Sequence, residues 1–495
     1  MTIHASIPVE QSRLPQALLI LAGASAVACF VLVSKAGLLA LAGCAALGFL
    51  GVVFEIFRGR INALLIWWAA LFPLRSLLTF PAERSIITAE RVVILFALIG
   101  LLLAKPSTLT AVPKVLRRTG LACLAFIGAA SVTLTESPDV LSSARRLSDS
   151  FVIPLLFAWF VVAAFNVRHQ LRALHTAVCF SSIICATIAA AEIATADDLF
   201  SFAGSAMFYA GSVARPNGPF ASNDQLALVG ALSLFFLLFL RSTFGPQLSA
   251  GRKVLHWIAL TAATGMALMP MFRSVALTLL LVLLIDTFWE HNTGRRVWRI
   301  MLILTFTCVI FAGRTFMPDV FEDRGSTENI LARVAEYRQS VRVFADHPIL
   351  GVGFSNFNNF VVGDLRYRMS AAGVDSVDWP HSNLSSALAE TGLVGFAPYV
   401  TTHVLLFVAM WQLRRSSDSG YLVWKYFVYM FLTYWITGLT ESSGFEGLNI
   451  WYAFVIAVLY KYGLTEPDPI PSEHAMADTR DVSAPARIVP WASFR

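Results

Sequence analysis

Long apolar segments recur along almost the whole chain, and they constrain its fold more than any other feature. A hydrocarbon core about 30 Å thick is crossed by a helix of about 20 apolar residues, and lipid offers no hydrogen-bond partner to an open backbone. The sequence therefore predicts an all-α polytopic membrane protein with about 10–14 transmembrane helices. The apolar segments lie near 17–33, 36–54, 61–80, 91–104, 120–134, 151–165, 173–194, 226–240, 254–272, 274–289, 300–316, 384–411, 424–440 and 448–460.

Composition excludes an ordinary soluble domain. Charged residues make up 14% of the chain and hydrophobic residues 57%. Soluble domains have about 25% charged and about 45–50% apolar residues, so this chain lacks the polar surface that a soluble protein of its length needs. The net charge of +6 is attributed to basic cytoplasmic loops and not to nucleic-acid binding.

The cysteines give no sign of a metal site. All lie within apolar segments, none follows the spacing of a zinc motif, and none sits in a polar loop that a disulfide would join to another segment. We therefore expect the cysteines to be small apolar residues of the spans, and no metal site, redox motif or cofactor. They are Cys29, Cys44, Cys123, Cys179, Cys185 and Cys308.

Basic residues are concentrated in the short loops that would share one face of the membrane. The loops of the opposite set, such as 441–447, are poorer in Lys and Arg. Because basic loops stay in the cytoplasm, the N-terminus is predicted to lie inside and the long polar segment 317–383 outside. The basic loops are 55–60, 105–118, 166–172, 290–299 and 412–425.

The predicted organisation has five parts. The first apolar segment lacks a small-residue cleavage site and is interpreted as a retained anchor. The tail is rich in Pro, Asp and Ser, which favours disorder. The parts are a cytoplasmic N-terminus at 1–16, a transmembrane bundle at 17–316, a large outer loop at 317–383, C-terminal transmembrane helices at 384–462 and a disordered cytoplasmic tail at 463–495.

The outer segment begins with a predicted amphipathic helix from Glu328 to Asp346, lying on the outer face. Pro348 ends this helix because the residue before a proline avoids the α region. Gly351 and Gly353 then predict a tight turn. The apolar residues at three- and four-residue steps are Ile330, Leu331, Val334, Val341 and Phe344.

Four basic residues are predicted to lie at one outer boundary of the membrane. Arg273 has apolar runs on both sides, Arg215 opens a loop rich in Pro and Gly, and His381 directly precedes a span. Arg333 shares a helix face with Tyr337. An arginine at membrane depth is costly unless it faces a cavity or a partner. Arginines bind phosphates and histidine is the usual base near neutral pH, so this set predicts a metal-free site for a lipid-linked pyrophosphate.

Simpler interpretations stay open for these residues. Arg273 also fits a snorkelling residue in a tight outer turn, and His381 fits a solvated interfacial histidine. Arg75 fits either a snorkelling residue or a site residue. Arg145 and Arg146 are predicted on an outer loop, where they attract anionic headgroups or simply face water.

The spacing of these residues forms a combination of motifs. An arginine is followed by an aromatic residue four positions on, then by a His-Pro-x-x-Gly-x-Gly turn, then by a histidine with Glu nine and Gly eleven residues after it. This combination resembles the O-antigen ligase and O-antigen polymerase family of bacterial envelope glycosyltransferases. The matching residues are Arg333, Tyr337, His347, Pro348, Gly351, Gly353, His381, Glu390, Gly392 and the stretch RPNGPFASN at 215–223.

This sequence departs from the family pattern at two positions. Tyr337 stands where Trp is common, and Ser382 separates His381 from Asn383. The motif resemblance covers roughly 205–395, and the layout of apolar segments extends it to the whole chain.

The resemblance implies an inverting glycosyltransferase of the bacterial inner membrane, independent of metal and nucleotide and active at the periplasmic face. The donor would be an undecaprenyl-diphosphate-linked glycan, and the acceptor a hydroxyl of lipid A core or of a growing polysaccharide. A ligase and a polymerase share these motifs, so the choice between them stays open. Exopolysaccharide polymerases fit the His-Ser-Asn variant as well.

The resemblance also assigns roles to residues. Arg273 and Arg333 would bind the pyrophosphate with support from Arg215, and His381 would be the base. Tyr337, Arg338 and Glu390 are possible supporting residues. Glu390 is expected to cap or pair inside the bundle, and Gly392 to permit close helix packing.

A transporter or flippase for an anionic solute or a lipid-linked sugar is the alternative function. It would use the same arginines, but it would also need charged residues lining the cytoplasmic half of the spans, where the sequence offers few besides Asp286. A membrane scaffold would leave Arg273 unexplained.

Overall fold

The computed structural model describes residues 43, 46–51, 53–56, 62–78, 86–103, 112–199, 208–211, 213–244, 248–316, 318–319, 327–376, 380–415, 418–440 and 445–464. Helices dominate this part of the chain, which confirms the predicted all-α membrane fold. Five helices are long and apolar enough to cross a membrane, at Lys114–Glu136, Val140–Ala164, Val167–Thr195, Asn223–Phe244 and Asn383–Leu413. The predicted span at 17–33, most of 36–54 and the tail beyond 464 lie outside the described residues.

The first half of the described chain consists of helices joined by short connections. Asp139 caps helix α4, Val140–Leu147, by accepting a hydrogen bond from the main-chain N–H of Ser142 at 3.0 Å. Ala196, in the left-handed conformation, ends helix α6, Val167–Thr195. The helices are α1 Asn62–Leu71, a 3-10 helix Phe72–Leu78, α2 Ala89–Leu103, α3 Lys114–Thr133, a 3-10 turn Leu134–Glu136, α4 Val140–Leu147, a π-turn Ser148–Val152, α5 Ile153–Ala164 and α6 Val167–Thr195.

The second half carries two short hairpins among the helices. Strand β1, Phe208–Ala210, pairs antiparallel with β2, Val213–Arg215, and β3, Ser370–Ala371, pairs with β4, Val374–Asp375. The helices are α7 Asn223–Phe244, α8 Ala250–Leu268, α9 Arg273–Trp289, α10 Thr293–Phe316, α11 Thr327–Asp346, α12 Phe357–Gly363, a 3-10 turn Leu365–Tyr367, α13 Asn383–Leu413, α14 Asp418–Thr440 and α15 Phe445–Leu464.

Aromatic side chains fill the centre of the bundle. Trp451 of α15 is fully buried and stacks on Phe72 with ring centroids 4.6 Å apart. Trp68 of α1 contacts both Trp451 and Phe157 of α5. Large rings bury much apolar area and interlock by shape, so they fix the helices where lipid supplies no hydrophobic drive between them.

Helix α11 has the predicted bounds but buries an unexpected face. Its apolar residues Ile330, Val334 and Val341 are exposed, whereas Glu336 and Gln339 are buried against the rest of the protein. The polar face turns inward because Glu336 binds a main-chain N–H there, as described below. The apolar face is left at the predicted membrane boundary.

Arg145 and Arg146 do not lie on a loop. The structure places both in helix α4, which continues through the π-turn into α5. The Asp139 cap lets the helix begin before the apolar run, so both arginines lie within the helix.

Candidate functional site

Arg273 is the first residue of helix α9 and is exposed. Met271, with φ of 53°, reverses the chain just before it. Among the described residues, none forms a hydrogen bond or ion pair with the Arg273 side chain. The guanidinium and the N-terminal end of the helix both contribute positive potential, so this point favours an anion.

Arg215 is buried and holds the turn that precedes Arg273. Its Nε donates to the main-chain oxygen of Pro270 at 2.9 Å, and its Nη2 donates to Oδ1 of Asn223 at 3.0 Å. Strand β2, the α8–α9 turn and the start of α7 are thereby joined at one guanidinium. The role of Arg215 in pyrophosphate binding, which the resemblance implied, stays a prediction.

Glu192 is a buried residue of this region that the sequence analysis missed. Its Oε2 accepts hydrogen bonds from the main-chain N–H groups of Asn217, at 3.0 Å, and Gly218, at 2.7 Å. These residues follow Arg215 in the loop between β2 and α7, and Gly218 has φ of +57°. An acid within an apolar helix was the available signal, since such residues are rarely without function.

Arg333 and Tyr337 both bind the end of helix α14, as expected for residues on one helix face. Arg333 Nη1 donates to the main-chain oxygen of Thr440 at 2.8 Å, and the Tyr337 hydroxyl donates to that of Leu439 at 2.6 Å. The last carbonyls of a helix lack partners within it, which makes them natural acceptors for a cation.

Thr440 connects the two arginine-bearing helices. Its hydroxyl donates to Oγ of Ser274 at 2.7 Å, and its carbonyl accepts from Arg333. Ser274 directly follows Arg273 at the start of α9. The structure therefore brings the elements that carry Arg273 and Arg333 to the same end of the bundle.

His381 lies in the same region, just before the start of helix α13. Its main-chain N–H donates to Oε1 of Glu336, which is buried on α11 between Arg333 and Tyr337. Ser382 caps α13 through a bond from the main-chain N–H of Ser385 to its hydroxyl. The serine that departs from the family pattern thus has a local role, because helices favour Ser at this position.

The Glu390 side chain binds the turn that follows α11. Its Oε2 accepts a hydrogen bond from the main-chain N–H of Ser355 at 2.9 Å, and Arg146 Nη1 donates to the Ser355 hydroxyl at 3.1 Å. Ser355 has φ of 62°, so its backbone is held in a sparsely populated conformation. Glu390 is thus a partner of the turn after α11.

The glycine turn after α11 enters a break in helix α13. At Gly392 the backbone leaves helical geometry, with φ of 56°. The main-chain N–H of Gly353 donates to the oxygen of Glu390 at 2.9 Å, and that of Leu393 donates to the oxygen of Pro348 at 2.9 Å. Gly392 was expected to permit close packing of two helices. In the structure it permits close approach of the glycine turn to α13.

Arg338 and Arg75 have partners of their own. Arg338 Nη1 lies 3.4 Å from the main-chain oxygen of Ser370 in the β3–β4 hairpin. Arg75 lies 3.6 Å from Glu90 and contacts the ring of Phe72. Neither arrangement links these arginines to Arg273.

One group of residues in the described part of the chain has the composition and closeness of a metal site. His175, Cys179 and His256 are buried and place their ligand atoms within 4.8 Å of one another. They lie in the first halves of α6 and α8, whereas Arg273 follows the end of α8. At 1.5 Å per residue, the distance along α8 from His256 to its last residue, Leu268, is about 18 Å.

Residues 258–400 match the family model described as O-antigen ligase. The match contains Arg273, Arg333, Tyr337, Arg338, His381 and Glu390, and Arg215 precedes it. The resemblance that the motifs predicted is confirmed over this segment. No curated protein matches the chain.

Proposed function

We propose that this chain, whose residues 258–400 match the O-antigen ligase family model, transfers an undecaprenyl-diphosphate-linked glycan to an acceptor hydroxyl at the periplasmic face of the inner membrane. The observation that carries the proposal is the contact of Thr440 with both Ser274 and Arg333. It gathers cationic side chains from distant parts of the chain at one end of the bundle, where a lipid-linked diphosphate would present its charge.

The diphosphate of the donor would bind between Arg273 and Arg333. Arg273 is exposed at a helix N-terminus, and Arg333 is half-buried and fixed by the Thr440 carbonyl. Guanidinium groups match phosphate oxygens in pairs and keep their charge at any physiological pH. They would stabilise the negative charge that develops on the leaving diphosphate, so the reaction would need no divalent metal.

His381 would act as the general base. The bond from its main-chain N–H to Glu336 holds its backbone against α11, the helix that also carries Arg333 and Tyr337. The imidazole would accept the proton of the acceptor hydroxyl while the acceptor oxygen bonds to the sugar C1 and the C1–O bond to the diphosphate breaks. Attack from the face opposite the leaving group would invert the configuration at C1.

An apolar cavity of about 530 Å³ offers room for part of the polyprenyl tail. Helix α13, which begins beside His381, contributes Tyr399 to its wall, and α3 and α5 contribute Phe126 and Trp159. An apolar tail gains contacts in such a cavity, while its diphosphate stays at the helix ends.

The transporter alternative has less support. Asp286, the acid that the sequence offered for a cytoplasmic path, is 2.9 Å from Arg299 and also bonds Lys425 and Tyr429. These contacts join α9, α10 and α14. Charges that are paired with one another in this way connect neighbouring helices, and Asp286 is therefore not an unpaired acid lining a transport path.

Deletion of the gene tests the proposal and separates its two forms. Surface glycan and lipid-linked precursors would be compared on gels in the deletion strain, and in the same strain with the gene restored. Long glycan retained on the lipid carrier would identify a ligase, and accumulated single repeat units a polymerase. If neither pool changed in a strain without a redundant enzyme, the transporter reading would take precedence.

A further inference from the structure

His175, Cys179 and His256 form a compact group of nitrogen and sulfur atoms inside the bundle. His175 and Cys179 are one turn apart on α6, and His256 faces them from α8. His175 Nε2 lies 3.1 Å from His256 Nδ1 and 3.6 Å from Cys179 Sγ. The two histidines are 1% exposed and the cysteine 0%.

This spacing is close to that of ligands around one metal ion. In a trigonal site, ligand atoms about 2.0–2.3 Å from the metal are about 3.5–4.0 Å apart. The two ring nitrogens would have to separate by only a few tenths of an ångström to admit an ion. Hydrogen bonds of His175 with His256 and with Cys179 would account for the same two distances, so copper titration separates the two arrangements.

Charge decides which ion fits best. A thiolate with two neutral imidazoles carries one negative charge, so copper(I) gives a neutral site, whereas zinc(II) leaves a net positive charge. A net charge in a buried, apolar layer is costly. Arg241 and Arg252 act electrostatically on His256 and His175, respectively, which disfavours further positive charge there.

We propose that His175, Cys179 and His256 bind one copper(I) ion. Three ligands suffice for trigonal copper, whereas zinc sites with three protein ligands are completed by a further ligand, usually water. The site lies near the predicted cytoplasmic ends of α6 and α8, and the metal would reach it from that side. It is separate from the proposed glycosyl-transfer site, so either proposal can fail without the other.

The test measures copper binding by the full-length protein in detergent. Copper(I) would be titrated without oxygen against a chromophoric copper(I) chelator, for the wild type and for Cys179→Ser and His256→Asn. The matched controls are Cys185→Ser, a buried cysteine on the same helix, and His403→Asn, a histidine on α13. X-ray absorption of the wild-type complex would report the ligands without any substitution.

The expected result is one copper(I) per wild-type chain, with one sulfur and two nitrogen ligands. Each site variant should bind at least about tenfold more weakly, and the two controls should bind as the wild type does. Absence of competition with the chelator, equal binding by Cys179→Ser, or a first shell without sulfur would each overturn the proposal. So would zinc(II) binding that copper(I) does not displace.

Discussion

A Cβ atom placed on Gly392 would lie 2.3 Å from the main-chain oxygen of Ile349. The glycine turn after α11 therefore occupies space inside the break of α13, and the two segments act as one unit. The main-chain N–H of Val394 donates to the same oxygen at 3.2 Å. Because α13 begins next to His381, the turn also helps to fix the position of the proposed base.

Gly392→Ala should destabilise the protein severely. The side chain would meet backbone atoms that cannot rotate away, and φ of +56° adds strain of about 1–2 kcal/mol. Gly373→Ala is the matched control, because Gly373 has φ of +84° and nothing within 4 Å of its added Cβ. Thermal unfolding in detergent should show a clearly lower midpoint for Gly392→Ala than for Gly373→Ala. Equal midpoints would mean that the turn can shift to accommodate the added methyl group at little cost in stability.

Arg273→Ala should abolish most transfer activity while the protein remains in the membrane at normal levels. Loss of a group that stabilises developing charge lowers the rate by about 10²–10³-fold. Arg333→Ala should act in the same direction. Arg342→Ala is the control, because Arg342 lies on α11 but is exposed and pairs with Asp346. Full transfer activity in both Arg273→Ala and Arg333→Ala would remove the diphosphate role.

His381→Ala should lower turnover with little effect on donor binding, since a base acts on the acceptor proton. His291→Ala, an exposed histidine at the predicted inner face, should leave turnover and donor binding unchanged. A His381→Ala enzyme with normal turnover would exclude the residue as base.

Glu192→Ala should weaken donor binding and lower stability. It would leave the buried N–H groups of Asn217 and Gly218 without their acceptor, at a cost of about 1–3 kcal/mol for each buried group. The displaced loop carries Arg215, which holds the turn before Arg273. Glu192→Gln keeps an oxygen acceptor and should stay close to the wild type in unfolding midpoint and in KM. If Glu192→Ala and Glu192→Gln had the same unfolding midpoint and KM, these hydrogen bonds would not account for the effect of Glu192 on stability and donor binding.

A chelator of divalent magnesium should leave transfer by the purified enzyme unchanged, because the arginines supply the charge that a metal would otherwise provide. The measurement compares initial rates with and without EDTA. Loss of activity that magnesium restores would contradict the metal-free mechanism.

The sequence by itself determined the membrane class and most helix positions. Apolar length and helical period are local properties, since a span must satisfy its own backbone in lipid. The predicted segments from 61–80 onward coincide with helices, and α11 begins and ends within one residue of the predicted bounds. The spaced arginines, glycines and histidine were enough to indicate the family whose model matches residues 258–400.

Only the tertiary structure decided which of these residues meet. Glu336 turns the polar face of α11 inward to reach His381, and Ile349 occupies the break at Gly392. His256 lies beside His175 although 81 positions separate them. Such contacts depend on how helices pack against one another, and packing is set by side-chain shape and by the need to pair buried polar groups, neither of which a local pattern contains.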